Sequence, residues 1–122
     1  MNREQLKAIR PTIVVEKKPE TELEKFQIEV LRPILKFQNE LILELFANQI
    51  QKNKAQFQSL SFEQKFSFIH TLVKNNKAFQ NTLIGVIIAF FTAPETSCYL
   101  QNSSEWNKRI SAFIIQRIHS QV

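Results

Sequence analysis

An all-α fold is what this sequence predicts, and three observations carry the prediction. Its 122 residues include one glycine, four prolines and no aspartate, against many Gln, Glu, Lys and Leu, which lose little on entering a helix. A Ser or Thr is followed three residues later by Glu or Gln at Thr21–Glu24, Ser61–Gln64 and Thr92–Glu95, the spacing of a helix-opening capping box. No segment offers a credible set of paired strands, and no internal repeat is present. The expected architecture is a bundle of four to five helices, with a long first helix kinked at Pro33 and an extended N-terminal arm.

Residues 1–20 are expected to be that arm, and residues 21–122 a single helical domain. The arm mixes charges with Pro11 and Pro19 around the β-prone "TIVVE" and has no sustained helical stripe. It reads as extended or mobile, free to pack on the body or on a neighbouring subunit. The first long helix opens at "TELE", where Glu22 and Glu24 complement the positive end of the helix dipole, and it has room to run to about Lys54. Pro33 removes one backbone donor and its ring clashes with the carbonyl of Glu29, so a kink or break is expected near Val30 to Arg32.

A second helix opens at Ser61, with Phe62, Phe66, Ile69 and Val73 as one buried stripe, and closes at Asn75 and Asn76. The third helix runs from Lys77 to about Phe91 and contains "LIGVIIAFF", residues 83–91, with no charge, amide or hydroxyl. At about 1.5 Å per residue that stretch spans roughly 13 Å, against about 30 Å of hydrocarbon, so it cannot cross a bilayer. A helix apolar on all sides is expected in the middle of the bundle. Gly85, the only glycine, costs about 1 kcal/mol there relative to Ala, so a close neighbour is expected at that point. Thr92, with Pro94 in the first turn, opens a short fourth helix to about Leu100. Ser103 or Ser104 caps a last helix with Trp106, Ile110, Phe113, Ile114 and Ile118 on one side.

Composition bounds the function. A hydrophobic content of 43%, with eleven Phe, supplies a core for one domain. One cysteine, Cys98, excludes an intramolecular disulfide framework and a Cys-based zinc site, and suits a reducing compartment. The N-terminal "MNREQLKAIRPT" has no apolar signal region, so a cytoplasmic location is expected. The net charge of +5 comes from residues 52–122, where Lys and Arg outnumber Glu. Those cations, including Lys65, Lys74, Lys77, Arg109 and Arg117, are spread over several helices rather than clustered with base-reading side chains, which argues against nucleic acid as the partner.

Candidates for chemistry are few. His70 and His119 lie on different helices outside any metal-ligand spacing, so no metal and no cofactor are expected; Cys98 reads as a structural thiol. His70 reads as a partly buried helix residue and His119 as a C-terminal residue favourable to the dipole. The first helix is the stronger lead. Leu31, Ile34, Leu35, Leu41, Ile42, Leu45 and Phe46, with Leu43 on the flank, form an apolar belt wider than one core contact needs. A homodimer through this belt is expected, with an unidentified protein partner as the variant of the same idea. A polar cluster is also expected, from Arg32, Gln38, Asn39 and Glu40 together with Glu95, Tyr99, Asn107 and Arg109. It either fixes the bundle or lines a pocket for a small acid or amide.

"LRPILKFQNELILELF", "LIGVIIAFFTAPETSCYL" and "NKRISAFIIQRI" resemble a group of small bacterial all-helical proteins of unknown function, some of which carry the name glyoxalase. The likeness spans roughly residues 26–118 and implies an all-α fold without supplying active-site residues. Three function classes follow, in order: a noncatalytic self-associating or protein-interaction module; a small-molecule binder or enzyme, glyoxalase-like by name only; and a nucleic-acid-associated basic protein.

Overall fold

The computed structural model describes residues 2–13 and 18–122. Among these residues all regular structure is helical, with eight α-helices. They are α1 (Glu22–Phe26), α2 (Arg32–Phe37), α3 (Asn39–Gln49), α4 (Lys54–Gln58), α5 (Phe62–Asn75), α6 (Lys77–Ile88), α7 (Ala93–Gln101) and α8 (Ser103–His119). The number exceeds four to five because the expected first helix, to about Lys54, is three α-helices and α4 follows it. Between α1 and α2 the chain makes a π-helical turn, Gln27–Leu31, so that Pro33 falls in the first turn of α2, where a missing N–H costs least. Gln38, at φ −90° and ψ 8°, separates α2 from α3, and the 3-10 turn Gln51–Asn53 separates α3 from α4.

The caps act where the sequence places them. Ser61 and Thr92 each form a complete capping box, with Gln64 and Glu95 respectively, and open α5 and α7. Thr21 accepts from the Glu24 N–H at 3.0 Å, but the Glu24 carboxylate accepts from the backbone N–H of Glu20, one residue earlier than a box requires. Helix α8 begins at Ser103 after Asn102, without a side-chain cap.

The middle of the molecule belongs to α8, which packs against α3, α5, α6 and α7. Its Trp106, Ile110, Ile114, Ile115 and Ile118 are buried, with Ser111 among them. Phe113 on the same helix is only partly buried against this core. This corrects the expectation that α6 holds the centre. Phe79, Leu83, Ile84 and Ile87 of α6 do face the core, but Ala78, Asn81, Thr82 and Ala89 are exposed. Gly85 is a second correction: a Cβ built on it meets nothing within 4 Å. It lies on the open side of α6, in step with Ala78, Thr82 and Ala89 at helical spacing.

The arm differs from an extended segment over Arg3–Ile9, which is a 3-10 helix opened by a reciprocal Asn2–Gln5 capping box. Most of "TIVVE" lies outside the described residues. The α5 stripe divides: Ile69 and Val73 are buried, whereas Phe62 is 66% and Phe66 38% exposed. No helix among the described residues is long and apolar enough to cross a membrane.

Candidate functional site

The apolar belt is mostly core. Leu31, Ile34, Leu35, Ile42 and Phe46 are buried within their own chain, and Leu45 is partly buried against them. Leu41 alone is exposed, at 40%, while Leu43 is half-buried. The belt is consumed because α1 to α4 lie across more than one neighbour, α3 reaching α8 while Phe46 stacks edge-on with Phe57 of α4 at 5.4 Å. What remains outside is narrower. Phe37 is 44% exposed, its ring 5.1 Å from that of half-buried Phe90, and Leu41 lies one turn further along. Gln38 beside them donates to the carbonyl of Val86 at 3.0 Å and ties α6 to this edge. On α6 itself, Val86 flanks the open side made by Ala78, Thr82, Gly85 and Ala89. No charged residue occurs from Ala78 to Pro94, so α6 itself contributes no charge to this surface, which the Arg3 guanidinium borders at the Ala89 end.

The expected polar cluster does not gather in one place. Glu95 belongs to the arm: Arg10 donates to its two carboxylate oxygens at 2.9 and 2.6 Å, the side chains being 7% and 10% exposed. Arg10 also donates to the carbonyl of Phe90, and Arg3 donates to those of Phe91 and Ala89. Two guanidiniums thus satisfy three carbonyls left open where α6 ends, and Lys36 donates to the carbonyl of Thr12 further along. Burial by itself raises the Glu95 pKa. Hydrogen bonds from Arg10 and from the Thr92 backbone, with the charge of Arg10, outweigh it and hold the carboxyl below the usual glutamate range. Arg3 and Arg10 are absent from the expected cluster because an isolated Arg in a Pro-flanked arm carries no sign of a partner 85 residues away.

Tyr99 donates to Asn107 Oδ1 at 2.5 Å. Arg109 sits 3.3 Å from Glu105, a charge contact one turn apart on α8 without hydrogen-bond alignment at Nε. Asn39 joins Arg117 and Gln121, as described below. Arg32 and Glu40 are exposed, without a partner among the described residues.

A concavity of about 670 Å³ holds neither Glu95 nor Arg109. Leu43, Phe46, Ile50 and Phe57 line it, with Lys54 and Lys65 among its polar groups. The two histidines, on different helices as expected, both neighbour Phe66, with ring centroids 6.0 Å away for His70 and 5.2 Å for His119. His119 also stacks on Phe62 at 4.0 Å, with Nε2 2.7 Å from the Phe62 carbonyl, which fits a protonated Nε2. His70 is exposed rather than partly buried. Cys98 is a half-buried free thiol. Among the described residues no three His, Cys, Asp or Glu side chains gather as a metal-ligand set.

No protein-family model, curated protein or solved structure matches this chain.

Proposed function

We propose that the protein is a noncatalytic, self-associating helical module of the cytoplasm, and that its two-fold contact uses the open side of α6 with Phe37 and Leu41 at its edge. One observation carries this reading: a solvent-facing helix surface of Ala78, Thr82, Gly85 and Ala89 with no charged side chain of its own in a chain that is 22% charged, bordered by Arg3 only at the Ala89 end and lying beside exposed Phe37 and Leu41. Small residues let a second helix approach closely, and exposed rings at the rim supply the apolar area that a lone chain leaves in water. The contact is therefore narrower than the whole first-helix belt and includes a different helix. A half-buried single thiol suits the reducing compartment assigned here.

Light scattering tests the reading. The native protein should have a mass near twice 14.3 kDa. Leu41→Glu should shift it toward the single-chain mass with unchanged helix content, because each subunit would bring an unpaired charge to the apolar edge of the contact. A native protein that is monomeric at high micromolar concentration would contradict self-association outright.

A further inference from the structure

Two arginines meet on the other flank of the first helical run without a counter-charge. Arg32 of α2 and Arg117 of α8 line one surface dent of about 400 Å³, walled by Leu35 and Phe113 and edged by Gln116 and Ser120. No glutamate lines it. Arg117 is positioned: its Nη1 donates to Asn39 Oδ1 at 3.2 Å, and Asn39 is held by Gln121 through reciprocal amide hydrogen bonds of 2.8 Å. Gln121 also donates to the Arg117 carbonyl at 2.8 Å, closing the set. This arrangement occupies one donor of Arg117 and neutralises none of its charge. Arg32 has no hydrogen bond or ion pair with any described residue. Burial, and then the charge of Arg32, push the Arg117 pKa below its ordinary value, as expected of like charges held close in partly desolvated surroundings.

The contrast with Arg10 is informative. There, a guanidinium of the same chain is matched by a carboxylate and a carbonyl; at the dent, two arginines share one lining and no carboxylate of the described residues is part of it. We propose that the dent between α2 and α8 binds the phosphoryl group of a small phosphate monoester, with Arg32 and Arg117 donating to its oxygens and Leu35 and Phe113 against its organic part. Charge selects this class. A phosphate monoester near neutral pH carries close to two negative charges and three acceptor oxygens, matching two guanidiniums, whereas a carboxylate or a phosphodiester balances only one. The residues involved are separate from the open side of α6, so the site stands apart from self-association.

Phenyl phosphate is the probe, compared with benzoate at equal ionic strength. It should raise the melting temperature of the native protein in a concentration-dependent way, as any ligand selective for the folded state does, and benzoate should do so much less. Arg32→Gln removes an exposed side chain with no hydrogen bond or ion pair to any described residue, so the variant should fold and, without ligand, be at least as stable as the native chain. Its affinity for phenyl phosphate should fall about tenfold, the loss of one charged hydrogen-bonding group. Arg109→Gln, on the helix of Arg117 but paired with Glu105, should keep native affinity. The proposal is overturned if phenyl phosphate does not bind at millimolar concentration, if benzoate binds equally well, or if Arg32→Gln binds as tightly as the native protein.

Discussion

The helical run from Glu22 to Gln49 and the single helix α6 both carry more apolar residues than one packing contact requires, and the molecule uses the surplus differently. In the first run the large side chains turn inward: Ile34 and Ile42 are wholly buried and Phe46 nearly so. In α6 the large residues also face the core, but the opposite side holds small, uncharged residues and an open glycine. The width of an apolar stripe therefore says how many neighbours a helix has within its own chain. A solvent-facing surface free of charge is the better sign of a neighbour from elsewhere, because charge there would cost nothing in a monomer and much in an interface.

The largest effect that would break this comparison concerns Phe46. If the first run is core, Phe46→Ala should destabilise by about 3 to 5 kcal/mol in urea unfolding, with assembly unchanged. A loss below about 1 kcal/mol, accompanied by a change in mass, would return the belt to the surface. Next in size is Arg10→Ala, which leaves the buried Glu95 carboxylate unmatched and should cost about 3 kcal/mol at neutral pH. Because the folded-state pKa of Glu95 is depressed, the stability it contributes is complete above the usual glutamate range and is lost as pH falls through and below it. The gap between native and Arg10→Ala stability should accordingly narrow in acid. A gap independent of pH would mean that the arm is held by Arg3 and backbone contacts rather than by this ion pair.

Local features were the legible ones. The caps at Thr21, Ser61 and Thr92 are read from four residues each, and α1, α5 and α7 begin directly after them. Before Pro33 the backbone stays right-handed helical and changes only its hydrogen-bond spacing, to a π-helical turn, which the local loss of a donor does not specify. What failed was every inference about what a side chain meets far along the chain. Gly85 was expected against a close neighbour, yet whether space exists at a helix position depends on which helix lies across it, and α8 rather than α6 took the centre. Glu95 found Arg10 and Arg117 found Asn39, 85 and 78 residues away, for which charge pattern along one sequence offers no register. Half of the α5 stripe proved exposed because the helix outruns the core at its N-terminal end, where His119 stacks on Phe62 instead.

The claim that self-association runs through the open side of α6 is tested most directly at Gly85. Space around its Cβ is empty, and an arginine in a helix is more favourable than a glycine by roughly 0.8 kcal/mol, so Gly85→Arg should leave the folded chain undisturbed. Placed on the two-fold contact, the same substitution brings two cations together where only small residues fit. Light scattering at high micromolar concentration should therefore give the native protein near twice 14.3 kDa and Gly85→Arg near 14.3 kDa, with equal helix content. A Gly85→Arg protein that keeps the dimeric mass would contradict the account.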